Sequence, residues 1–156
     1  MIRLLLIVAA IVAVGASSAS AADSSISKTS SSAAGAIQLN VVAIEMSKGA
    51  ASVDRRLAHL KKYFAKSFRD YKTFRHLSSH DLALAKGKAA TQLVNGKRLE
   101  AKYLGRPDKL MRVEVKFDGA RMTMKVRDAG LWFHAGRRTR DGKVTVLALT
   151  ARTKRP

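Results

Sequence analysis

The stretch 111–126 leaves this chain the least freedom. Met111, Val113, Val115 and Phe117 alternate with Arg112, Glu114 and Lys116; Asp118-Gly119 follows; then Ala120, Met122, Met124 and Val126 alternate with Arg121, Thr123 and Lys125. A period of two places one set of side chains on one face of a strand. Asp-Gly is the signature of a two-residue type I′ turn, whose central residues both need positive φ. That turn pairs Phe117 with Ala120, Val115 with Met122 and Val113 with Met124, so every apolar side chain lands on one face. A slip of one residue would turn the whole apolar set to water. The opposite face is mostly cationic and must meet solvent.

The neighbouring segments read as strands as well. Ala89, Thr91 and Leu93 lead to Asn95-Gly96 and on to Leu99, Ala101 and Tyr103. Keeping Leu93 on the face of Leu99 favours a three-residue turn on Val94-Asn95-Gly96 with a bulge, pairing Thr91 with Leu99 and Ala89 with Ala101. Residues 144–151 are almost wholly apolar, as suits a central strand. In 37–46 the apolar parity passes from Ile37, Leu39 and Val41 to Val42, Ile44 and Met46. That switch marks a strand covered on both faces or a bulge near Val41. Segments 73–84 and 131–135 complete the set, and Trp132 and Phe133 point to opposite sides of their strand.

One segment has helical period. Val53, Leu57, Leu60, Phe64, Phe68 and Tyr71 fall 3 or 4 apart and predict a helix over 52–71, with Ser52 as N-cap and Asp54 in the first turn. The order is strand, helix, then a long antiparallel meander. It predicts an α+β fold: one amphipathic helix packed on a twisted, mainly antiparallel sheet of about six to eight strands.

The N-terminus reads as an address. Met1-Ile2-Arg3 precede an unbroken apolar run over 4–14, and Ala19-Ser20-Ala21 offers small residues for cleavage. This is the layout of a secretory signal peptide over 1–21. A Ser/Ala-rich leader over 22–36 follows, with too little apolar surface to fold. A single domain is expected over 37–151, with a basic tail over 152–156. Export places the protein in the periplasm or outside the cell.

Charge is the strongest compositional signal. The 156 residues hold 30 Lys+Arg against 11 Asp+Glu, a formal net charge of +19, and no Cys. Without Cys there is no disulfide scaffold, thiolate metal site or thiol nucleophile. Residues 51–75 carry eight basic and two acidic side chains, and 137–156 carry seven and one. A cationic exported protein gathers on polyanions or acidic proteins. Nine cations are therefore the candidate partner-binding residues: Arg55, Arg56, Lys61, Lys62, Lys66 and Arg69 from the helix, and Arg137, Arg138 and Arg140 from a C-terminal loop. Peripheral membrane contact fits the same charge. Nucleic acid is less favoured, because few aromatics are left to stack on bases.

Chemistry-bearing motifs are sparse. His76 and His80 lie four apart beside Asp81, but on a strand that spacing holds imidazoles roughly 13 Å apart, too far for one ion. No nucleophile elbow, phosphate-binding glycine loop or His-Glu-x-x-His is present. The reading is non-enzymatic, with no catalytic residue, cofactor or metal; an enzyme would need a site assembled from dispersed residues, such as a pocket converging on His76, His80 and Asp81.

The helix positions Val53-Asp54, Leu57, Leu60, Phe64 and Tyr71 are joined by a second set, Leu93, Asn95-Gly96 and Leu99. A third set is Val126-Arg127-Asp128, Gly130, Gly136, Asp141-Gly142 and Leu147-Ala148-Leu149. In these core and turn positions the chain resembles a family of small exported bacterial proteins of unknown function, common in myxobacteria and their relatives. The resemblance implies a fold and no activity. The function expected is a non-enzymatic exported domain that binds an anionic envelope partner through a cationic surface. An assembly component that adds a strand to a partner's sheet is the alternative from another class.

Overall fold

Two strands from opposite ends of the domain, β1 (Ile37–Ser47) and β9 (Val144–Thr153), run side by side through its middle in the computed structural model, which describes residues 35–154. The signal segment 1–21, nearly all of the leader and the last two residues lie outside the described residues. Around this pair forms a five-stranded sheet in the order β2 (Ser52–Val53), β3 (Thr73–Leu84), β1, β9, β8 (Gly130–Arg138). Every neighbour is antiparallel except β2 on β3. A separate four-stranded meander follows the chain: β4 (Ala89–Val94), β5 (Lys97–Gly105), β6 (Met111–Phe117) and β7 (Ala120–Val126).

Parity explains the layering. In β1, Ile37, Leu39, Val41 and Ala43 point toward the four-stranded sheet and join one core with Leu99, Val113, Val115, Phe117 and Met124. Ile44 and Met46 point the other way and join a second core with Leu57, Leu60 and Phe64 of the helical segment. Strand β9 divides likewise: Leu147, Leu149 and Ala151 to the first core, Val144, Val146 and Ala148 to the second. The five-stranded sheet is thus a middle layer with a sheet on one face and a helix on the other. Its two central strands have no solvent face in their middle, hence their apolar runs.

The expectation of one sheet of six to eight strands is therefore corrected to two sheets of five and four. The β1 parity switch reflects cover on both faces. The bulge lies on the partner strand, where the β1–β3 register shifts between Ala43 and Ile44 and leaves Leu77 as the extra residue.

The helix is also shorter than its apolar stripe. Ser52 is extended, because its N–H donates to the Lys72 carbonyl (3.0 Å) in the short parallel pairing. Asp54, rather than Ser52, is the N-cap, accepting from the Arg56 N–H at 3.0 Å. Arg55–Leu60 is a 3₁₀ helix, and only Lys61–Ser67 is α-helical, named α1. The stripe itself holds: Leu57, Leu60 and Phe64 are buried, Val53, Phe68 and Tyr71 partly so, and Phe64 stacks on Phe74 with centroids 4.2 Å apart. Each large side chain buried this way contributes about 2 kcal/mol.

Both hairpins of the meander use two-residue turns. Asp118 and Gly119 have φ of 52° and 78°, and Phe117 pairs with Ala120, as the alternation requires. Asn95 and Gly96 have φ of 50° and 73°, and Val94 pairs with Lys97. The three-residue turn is overturned here: Gln92, not Thr91, faces Leu99, and Ala90 faces Ala101. Val94 is buried while Leu93 is left 65% exposed opposite Arg98. The type I′ geometry of Asn-Gly matches strand twist, and at this edge strand it prevails over the burial of one leucine.

Candidate ligand cleft and cationic surfaces

The helical segment is too short to cover the face it lies on. Beneath it the β1 and β9 side chains are apolar; further along, the same face turns polar. Asp81, Asn40, Thr150 and Leu131 make one row across β3, β1, β9 and β8, and Gln38 and Arg152 begin the next. With His59, Leu60, Lys62 and Tyr63 as a wall and Ala129 at the rim, they enclose an open cleft of about 580 Å³. Asn40 Nδ2 donates to Asp81 Oδ1 at 3.0 Å. Among the described residues this is the one hydrogen bond between floor side chains. Tyr63 tilts against Phe133 with centroids 6.1 Å apart, leaves part of its ring exposed, and has Lys62 Nζ 5.0 Å from its centroid.

The nine cations singled out from the sequence do not form one surface. Arg55, Arg56, Lys61, Lys62, Lys66 and Arg69 are all exposed along the helical segment. Arg56 is already engaged: its Nε and Nη2 reach the two Asp54 oxygens at 3.2 and 2.9 Å. The hydrogen bonds from the Arg56 side chain and backbone hold the Asp54 carboxyl well below the usual carboxylate range. The other five enter no ion pair among the described residues. At the end of β8, Arg138 donates to the Tyr71 hydroxyl at 3.1 Å and so joins the helix side. Arg137 turns away: its N–H donates to Asp118 Oδ2 at 3.2 Å, beside the β6–β7 turn. Arg140 is exposed in the β8–β9 loop.

A further cationic face escaped that selection. The outer side of the four-stranded sheet carries Arg98, Lys102, Arg112, Lys116, Arg121 and Lys125, with Glu100 and Glu114 set among them. Its charges are partly cancelled: Lys116 lies 2.6 Å from Glu100, and Arg121 3.6 Å from Glu114. The alternation of β6 and β7 was the signal for this face. The cleft had almost none, since its floor comes from four strands drawn from both ends and the middle of the domain.

The histidines do not converge. Facing pairs in an antiparallel ladder share a side of the sheet. His76 lies opposite Ile44, on the helix side, and His80 opposite Val41, on the inter-sheet side. The Leu77 bulge breaks the parity that would have aligned them. His76 contacts the Ser79 hydroxyl at 2.7 Å, and burial, with Arg56 nearby, lowers its pKa. His134 stands edge-on to Phe117 and is likewise pushed down by burial. Among the described residues no three His, Asp or Glu side chains group to hold a metal. None of the described helices is long and apolar enough to cross a membrane. Compared with family models, curated proteins and solved structures, the chain matches none.

Proposed function

We propose that this protein is a non-enzymatic binding domain that holds an anionic component of the cell envelope against its helix-bearing side. The observation that supports it is the uncompensated charge there. Among the described residues Arg55, Lys61, Lys62, Lys66 and Arg69 enter no ion pair, and Lys62 stands at the wall of the polar cleft. Ions in solution would neutralise these cations, and a polyanion would displace those ions with a gain in entropy, so affinity should fall steeply with salt. The signal-like segment 1–21 is the basis for placing the partner outside the cytoplasm.

Co-sedimentation of the protein with an isolated envelope fraction, at low and high salt, tests this reading. Binding at low salt that high salt abolishes is expected. No binding at either salt would overturn it. Binding that survives high salt would instead favour strand addition. That alternative has its own observation: β4 closes one end of the four-stranded sheet and carries the exposed Leu93, and main-chain pairing at such an edge is nearly indifferent to salt.

A further inference from the structure

The cleft has a chemistry that the surface charge alone does not require. Its floor is built of short hydrogen-bonding side chains fixed on β-strands: the Asn40 and Gln38 amides, the Thr150 hydroxyl and the Asp81 carboxylate. Asn40 and Thr150 are partly buried and face each other across the β1–β9 ladder, so their positions are set by the sheet. The Asn40–Asp81 bond uses one amide hydrogen and one carboxylate oxygen, leaving the Asn40 carbonyl and the second Asp81 oxygen to accept. Arg152 from β9 and Lys62 from the helical segment both line the cleft, and the exposed part of the Tyr63 ring forms an apolar flank.

A simple polyanion needs cations and nothing more. A ligand that uses this floor must carry several hydroxyls able both to donate and to accept. One that uses Arg152 must carry an anionic group, for which the planar guanidinium suits a carboxylate through two parallel hydrogen bonds. One that uses Tyr63 must offer a C–H face. A sugar ring bearing a carboxylate has all three. We propose that the cleft is a binding site for a carboxylated saccharide, holding one or two residues of an acidic sugar chain while the flanking cations of the helical segment meet the charges further along. This rests on the anion-binding reading above and names the class of ligand that reading leaves open.

Titration of the isotope-labelled full chain with trigalacturonate, followed by amide shifts, tests the proposal against two controls: an uncharged galactose trisaccharide, and tripolyphosphate, which has charge but no sugar. Trigalacturonate is expected to shift the amides of Asn40, Asp81 and Thr150 and to bind more tightly than tripolyphosphate. The neutral sugar should bind at least tenfold more weakly. The exposed Arg152→Gln should weaken trigalacturonate about tenfold, and Thr150→Val, which removes no charge, should weaken it severalfold. Thermal melts of both variants confirm that they are folded. If tripolyphosphate binds as well as trigalacturonate, and Thr150→Val changes nothing, the saccharide site is refuted while the anion-binding reading stands. If none of the three ligands binds, both are refuted.

Discussion

The helical segment and the outer face of the four-stranded sheet are both rich in Lys and Arg, yet they hold their charge differently. On the sheet, alternation brings Glu100 and Glu114 beside Lys116 and Arg121, and cross-strand pairs consume part of the charge. Lys116 holds the Glu100 carboxyl below its ordinary range for the same reason. On the helical segment, among the described residues, only Arg56 enters an ion pair. The sheet face reads as a solvated exterior, and the helix side as a surface whose charge is left available. Total charge therefore does not locate a binding surface; the placing of the acids does.

The largest effect should separate the two regions by burial. Phe64→Asp places a carboxylate in the second core, and losing the ring alone costs about 3–5 kcal/mol. Against a total stability of about 5–15 kcal/mol the domain should lose its cooperative unfolding transition. Lys125→Asp, on the exposed sheet face opposite Arg112, should stay within about 0.5 kcal/mol of the parent. Equal urea midpoints for the two variants would show that the helical segment does not anchor the fold.

A smaller effect follows from pH. His76 and His134 belong to the five-stranded sheet and have lowered pKa values, while the four-stranded sheet has no histidine. A histidine held neutral in the fold is protonated more readily when unfolded. Stability should then be full above the unfolded pKa, near 6.5, and fall as pH drops through it toward the lowered folded value. Urea midpoints at pH 7.5 and 5.5 should show this loss, and His76→Asn with His134→Asn should shrink it. An unchanged difference in the double variant would place the titration elsewhere.

How legible each region was depended on whether its signals agreed. In the β6–β7 hairpin the alternation of both arms and the Asp118-Gly119 turn point to one register. Around Asn95-Gly96 they conflict, because Leu93 suggests one parity and the turn imposes the other. The stripe from Leu57 to Phe64 showed which helix face is buried, but nothing in it required Ser52 to pair with the segment after the helix. The division into two sheets was hidden because alternation tells which residues share a face, not which strands share a sheet. The chain passes from one sheet to the other through 85–88 and 127–129, and nothing in those short segments marks the change. The polar floor of the cleft was out of reach for a related reason: Asn40, Asp81 and Thr150 meet only because β1 pairs with both β3 and β9.

The most direct test is the salt dependence of binding to a long polyuronate for two variants with charge removed. One replaces Arg55, Lys61, Lys62, Lys66 and Arg69 by Gln; the other replaces Arg98, Lys102, Arg112 and Lys125. The helix variant should lose most of the affinity and most of the slope of log K against log salt, while the sheet variant keeps both close to the parent. A sheet variant that loses as much as the helix variant would contradict the assignment of binding to the helix-bearing side.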